Sequence, residues 1–225
     1  MQNEITKKEI IKEINSHISE ISKEFKNGFE LLKKYPKSVT IFGSSRINQD
    51  DSNYKKAHNI SERIVKDLNY SIITGGGPGI MEASNRGASA ANGNSIGINI
   101  TLPHEQHINK YVTDSVSLNY FFIRKPLLNF SAEAYIFFPG GFGTFDELFS
   151  ILTLLQTNKI PNVPVILFGS DFWNPFVDLI KTQMLEKYKT IEQESMGLFT
   201  VTDSEDEVIE IIKSAPVSNW WKNID

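Results

Sequence analysis

The 225-residue chain is long enough to enclose one hydrophobic core, and 40% of its residues are apolar, enough to fill it. With 23 Lys and Arg against 27 Asp and Glu the net charge is −4, which argues against a nucleic-acid surface working by mass charge. The absence of cysteine excludes a disulfide framework and cysteine-ligated zinc. With no secretory h-region and no apolar run long enough for a bilayer, a soluble cytoplasmic protein with no membrane partner is expected.

Residues 5 to 35 read as an amphipathic helix through Ile11, Ile14, Ile18, Ile21, Phe25, Phe29 and Leu32, with Gly28 as a candidate break and Pro36 as the stop. Its apolar face suits packing on its own domain and also suits a dimer seam. Ser38 to Phe42 form a first strand that runs into Gly43-Ser44-Ser45-Arg46, a loop fit for a phosphate or sugar and equally ordinary as a polar connection. A helix over 51 to 68 follows, then a strand from Tyr70 to Thr74. Gly75-Gly76-Gly77-Pro78-Gly79 opens a helix reaching about Ala91. Four glycines in five positions are too costly for packing alone, so the backbone must come close to something there.

Ser95 to Ile100 make a third strand and Val112 to Leu118 a short fourth. Between them, His104 and His107 lack the spacing of a zinc-protease motif, so no metal site is expected; Glu105 could reach a ligand from this loop or simply be solvated. Tyr120 to Phe130 read as a short helix, shortened or kinked by Pro126, in which Arg124 and Lys125 stand among phenylalanines and leucines. Arg124 is either presented to a cleft or a snorkelling surface cation.

Tyr135 to Phe138 form an apolar strand broken by Pro139, and Gly140, Gly141 and Gly143 then lead into a helix through Leu148, Leu152 and Leu155. Such a strand, glycine turn and helix expose backbone N–H groups to an anion. Thr144 adds a hydroxyl, and Glu147 lies one turn into the helix facing the ligand, or else only complements the helix terminus. A strand over Val163 to Phe168, a helix over Phe172 to Tyr188, a strand over Leu198 to Val201 and a helix over Glu205 to Ile212 complete the pattern. Trp220 and Trp221 in the polar tail are expected to dock on the protein itself.

Regular alternation of strands and helices predicts an α/β fold, a Rossmann-like doubly wound parallel sheet with helices on both faces. The expected organisation is an N-terminal helical extension over 1–37, the sheet domain over 38–214 and a tail over 215–225. All three loops that follow strands at 43–46, 74–79 and 139–144 belong on the carboxyl edge of that sheet, where ligands bind. Neither glycine cluster is a Walker loop or a good dinucleotide fingerprint, so a mononucleotide or sugar phosphate fits better than a nicotinamide cofactor.

Pro139-Gly140-Gly141-Phe142-Gly143-Thr144-Phe145-Asp146-Glu147 resembles the PGGxGTxxE motif of the LOG (lonely guy) family of phosphoribohydrolases. Ile41 to Arg46, Gly75 to Met81 and Arg124-Lys125 stand around it in the family's order, over about residues 38 to 185. The resemblance implies cleavage of the N-glycosidic bond of nucleoside 5′-monophosphates, AMP-like or cytokinin nucleotides, to free base and ribose 5-phosphate. It implies Arg124 and Glu147 as the catalytic pair and Gly140 to Thr144 as the phosphate site. It also brings Gly43, Ser44, Ser45, Gly75, Gly76, Gly77, Gly79, Glu105 and Lys125 toward the substrate, with no cofactor and no metal. Homodimers or higher homo-oligomers are implied, and no nucleic-acid partner. Asp146 where the family often has Glu, Glu82 in place of a small residue, and the extra N-terminal helix leave base preference open and favour a bacterial-type nucleosidase over a dedicated cytokinin enzyme. The alternative is a nucleotide-binding sensor or carrier without turnover, which would keep the glycine loops but have no need of Glu147.

Overall fold

The computed structural model describes residues 7–101, 108–130 and 132–217, with side chains from residue 11 onward. Seven strands form one sheet: β1 (Ser38–Phe42), β2 (Ser71–Thr74), β3 (Ser95–Ile100), β4 (Asp114–Leu118), β5 (Ala134–Phe137), β6 (Val165–Phe168) and β7 (Thr200–Thr202). Their order is β4-β3-β2-β1-β5-β6-β7, and every pair is parallel. The chain builds outward from β1 to β4, returns to pair β5 with β1 through Val39 opposite Ala134, and builds outward again. The winding reverses between β1 and β5, which leaves a crevice beyond their carboxyl ends.

Among the described residues the α-helices are α1 (Lys7–Leu32), α2 (Ser52–Leu68), α3 (Ile80–Ala90), α4 (Phe121–Asn129), α5 (Phe142–Gln156), α6 (Ser170–Leu179) and α7 (Glu205–Ser214). Apolar side chains alternate between the faces as the period of a strand requires. Ile72, Ala134, Ile136, Phe138, Ile166 and Phe168 pack under α2, α3 and α7. Phe42, Ile73, Tyr135, Phe137, Val165 and Leu167 pack on the opposite face with α1, α4, α5 and α6.

Several sequence expectations need correction. Gly28 does not break α1: a Cβ there would lie 2.2 Å from Leu127 Cδ1, so the glycine is a point of close approach between α1 and α4. Only the C-terminal half of α1 joins the core, through Leu31 and Leu32 with Ile21, Phe25 and Phe29 packed against it. The helix expected from Phe172 to Tyr188 starts earlier and is α-helical only to Leu179; Ile180–Lys187 continue as a π-helix, closing onto left-handed Lys189 (φ 51°). The last strand begins two residues later than its apolar pattern suggests, because Gln193–Gly197 form a 3₁₀ turn that delivers Leu198 and Phe199 to the core. Trp220 and Trp221 lie outside the described residues. Among the described residues no helix is long and apolar enough to cross a membrane.

Candidate functional site

The three glycine-bearing loops are tied to one another by main-chain bonds beyond the strand ends. Pro139 cannot extend the ladder, but its carbonyl accepts from Ser44 N–H at 3.0 Å, and the Ser44 carbonyl accepts from Ile80 N–H at 3.0 Å. The first turn of α3 is thereby docked on the loop after β1, which in turn is docked on the loop after β5. Close approach requires glycine here. A Cβ on Gly79 (φ +70°) would come within 2.3 Å of the Ser44 oxygen, and one on Gly43 within 2.7 Å of Ile80.

The loop after β2 is pinned from the far side. Asn109 Nδ2 donates to the carbonyls of Gly76 (3.1 Å) and Gly77 (3.0 Å) and to Asn85 Oδ1 (2.9 Å). Thr74 donates its hydroxyl to the same Asn85 oxygen and accepts from Gly76 N–H. These asparagines and Thr74 were missed in the sequence, since single polar residues at a strand end and in a loop carry no periodic signal. Gly76, Gly77 and Gly79, expected to touch the substrate, are not in the lining of the cleft; the Gly76 and Gly77 carbonyls accept from Asn109, and Gly79 packs against Ser44.

The cleft itself, of about 590 Å³, is lined by Gly43, Ser44, Ser45, Arg46, Gly75, Arg124, Gly141, Gly143, Thr144 and Glu147 among others. Gly140 is not in the lining; a Cβ there would strike Thr144 Oγ1 at 2.1 Å. Helix α5 begins at Gly141 without any side-chain cap, and its earliest N–H groups have no carbonyl a turn below them. Built Cβ atoms at Gly141 and Gly143 meet nothing within 4 Å, and Gly141 has an ordinary extended backbone, φ −97°. Neither the fold nor the local conformation asks for glycine at these two positions. Their open space is where an outside group can reach the helix terminus.

Arg124 lies on the opposite wall. Its Nε donates to the Ile98 carbonyl at 2.9 Å and its Nη2 to the Gly75 carbonyl at 3.4 Å, so the guanidinium is braced against the ends of β2 and β3. Gly75 has no room for a side chain because Arg124 Nη2 would be 2.1 Å from its Cβ. Arg124 is therefore a built-in cation and not a snorkelling one. Burial lowers it from its ordinary value while Glu147 pulls it back up.

Glu147 is 9% exposed, and its buried Oε2 has no hydrogen-bond partner among the described residues. Burial raises it to about 7, against the opposing pull of Arg124 and Lys125. Desolvation outweighs the guanidinium, whose Nε and Nη2 bonds go to main-chain carbonyls. A carboxyl balanced near neutrality can both accept a proton and stabilise a developing positive charge. Asp146, also in the lining of the cleft, forms an ion pair with Lys125 at 2.7 Å. Lys125 lines not this cleft but an adjoining one. Glu105 lies outside the described residues.

The fold and site together define a doubly wound α/β protein with a crevice at its winding switch point, an uncapped helix terminus open to it, and a buried acid beside a buried cation. The chain belongs to the LOG family: residues 81–212 match the family described as "Possible lysine decarboxylase". It is 31% identical over 145 residues to the pyrimidine/purine nucleotide 5′-monophosphate nucleosidase of Escherichia coli K12, an alignment covering 60% of this chain and 31% of that protein. The chain thus spans about a third of the length of that relative. An uncharacterized protein of Archaeoglobus fulgidus is 26% identical over 123 residues, covering 53% of this chain and 78% of its own. In three dimensions the chain is similar to the molybdenum cofactor carrier protein of Chlamydomonas reinhardtii, with a TM-score of 0.60 at 18% identity over 80% of this chain and 97% of that one. It is likewise similar to the molybdenum cofactor binding protein of Rippkaea orientalis, with a TM-score of 0.58 at 23% identity over 79% and 94%. These two likenesses establish the fold.

Proposed function

We propose that this protein hydrolyses the N-glycosidic bond of nucleoside 5′-monophosphates to a free base and ribose 5-phosphate. The observation that carries the reading is Glu147: a buried carboxyl with an unpartnered oxygen, raised to about 7, one helical turn beyond a terminus open at Gly141 and Gly143. A 5′-phosphate at that terminus places the ribose beside Glu147, since helix α5 rises about 4.5 Å between Thr144 and Glu147. Breaking the bond to C1′ develops positive charge on the sugar. Ionised Glu147 stabilises that charge and takes the proton of the attacking water as its oxygen bonds to C1′; the base departs with the C1′–N electron pair and gains a proton from solvent, while Arg124 holds the substrate against the far wall. Membership of the LOG family and the nucleosidase relative support the same chemistry.

The carrier reading takes its support from the molybdenum cofactor proteins, which share the fold, but it leaves a costly buried acid without a task. A decarboxylase reading finds in the two clefts a single lysine, Lys125, already engaged by Asp146. Incubating the protein with a panel of nucleoside 5′-monophosphates and the matching nucleosides separates the alternatives. Free base released from the monophosphates alone, and lost in Glu147→Gln with binding retained, is the expected result. Binding without release in the wild type would turn the reading to a carrier or sensor. We further propose a homodimer as the working unit, in keeping with the family resemblance.

A further inference from the structure

A second cleft, of about 700 Å³, opens between α4 and α5 and shares Phe121, Arg124, Asp146 and Glu147 with the first. The two clefts adjoin, with Glu147 in the lining of both. Gly143, Glu147, Ser150 and Leu154 are spaced four, three and four residues apart, so they lie along one face of α5 and form their floor. The clefts change character along that face. At Gly143 the first meets the open helix terminus, and at Ser150 and Leu154, about 4.5 Å and 10 Å further along the axis than Glu147, the walls of the second are Phe122, Pro126 and Phe130.

Besides Arg124, Glu147 and the Lys125–Asp146 ion pair, which also line this cleft, a polar pair stands among those apolar walls. Asn129, 3% exposed, donates from Nδ2 to Ser150 Oγ at 2.9 Å, and its buried Oδ1 has no hydrogen-bond partner among the described residues. A buried acceptor left without a donor costs stability; Asn129 and Ser150 line this cleft, and Asn129 also borders a small cavity beside Tyr135. Flat aromatic walls with one polar pair are the surroundings of a planar ring that carries hydrogen-bonding groups on its edge.

We propose that this second cleft is the base subsite, with Asn129 and Ser150 as the residues that select the base. The inference rests on the nucleotide reading above and extends it. Phosphate at the helix terminus, ribose at Glu147 and base between Phe122, Phe130 and Leu154 take the three parts of a nucleotide in order along one helix face. An unpartnered amide carbonyl selects a base that presents an exocyclic amine, as adenine and cytosine do, over one that presents an oxygen there, as hypoxanthine and uracil do.

The test compares AMP, CMP, IMP, UMP and ribose 5-phosphate. Turnover is read in otherwise wild-type protein, and binding by calorimetry in the Glu147→Gln background, where nothing is consumed. Leu154→Trp fills the base subsite. It is expected to weaken AMP by about tenfold or more while leaving ribose 5-phosphate within about twofold. Ser150→Ala, which leaves the fold's apolar packing intact, is expected to narrow the preference for AMP over IMP by about fivefold. AMP bound equally well with and without Leu154→Trp would overturn the proposal, as would a base ranking unmoved by Ser150→Ala. Absence of turnover in the wild type with these binding differences intact would overturn the hydrolase reading alone, and absence of nucleotide binding would overturn both.

Discussion

At the scale of single residues, Glu147 sets a pH dependence that runs opposite to that of ordinary paired carboxylates. Its value rises on folding from 4.5 to about 7, so between those pH values the folded protein holds a proton that the unfolded chain releases. The contribution to stability is complete below about pH 4.5 and is lost as the pH climbs to about 7. It amounts to about 3 kcal/mol, at 1.36 kcal/mol for each unit of displacement. Chemical denaturation of wild type and Glu147→Gln from pH 5 to 8 is expected to show the variant gaining on the wild type by that order as the pH rises; parallel curves would mean that the carboxyl is ionised throughout. The proposed hydrolysis uses the ionised form, so kcat/KM is expected to fall on the acid side of about pH 7. The glycines divide by the same physical reasoning. Gly75→Ala forces Arg124 off its carbonyl braces and is expected to lower both stability and turnover. Gly141→Ala meets nothing in the fold, so its melting temperature is expected to be unchanged while affinity for inorganic phosphate and ribose 5-phosphate falls. A Gly141→Ala protein that binds phosphate normally would remove the helix terminus from the site.

At the scale of elements, the strand and helix pattern was legible because five of the strands, all but β4 and β7, are buried throughout and most helices carry one apolar face. β1, β3 and the start of α7 at its Ser204 cap follow directly from their residues. Legibility stopped where long-range contact overrides local pattern. Gly28 looks like a helix break until Leu127 is seen 2.2 Å from where its side chain would be. Gly28→Val is therefore expected to destabilise by about 1–3 kcal/mol through overpacking, measured by denaturation, whereas a simple helix break would be relieved by the substitution. The site shows the same division. Glu147, Arg124 and the open glycines of α5 stand in a readable motif, but the bonds that brace them do not. Asn109 reaches Gly76 and Gly77 across more than 30 residues, and no local pattern announces it. Glu82, unexpected beside a ligand loop, accepts from Tyr54 (3.0 Å) and Gln49 (3.1 Å) and fastens α3 to α2 rather than facing the cleft. Nor could spacing alone reveal that the burial of Glu147 outweighs its cationic neighbours, since desolvation depends on everything packed around it.

At the scale of the whole molecule, the apolar surface is unevenly spread. Ile11, Ile14 and Ile18 on the N-terminal half of α1 are each about half exposed (49%, 51% and 55%), and Phe121 and Phe122 at the start of α4 are 62% and 56% exposed. The two groups are neighbours, since His17 Nδ1 lies 3.3 Å from the Tyr120 hydroxyl just before α4. Large apolar side chains gathered in this way are the kind of surface that interaction partners cover. The proposed homodimer gives that surface an occupant of the same composition, and a twofold contact would set Phe121, which lines both clefts, against a partner molecule. The double substitution Ile14→Lys with Ile18→Lys places two charges on the outer stripe, away from the packed half of α1, so each protomer is expected to keep its fold and its melting transition. Sedimentation is then expected to change from dimer to monomer. Turnover is expected to fall with it, because an uncovered Phe121 leaves the junction of the two clefts open to water. A variant that still sediments as the wild type would take α1 out of the interface. A monomer with undiminished turnover would show that each chain carries a complete site of its own.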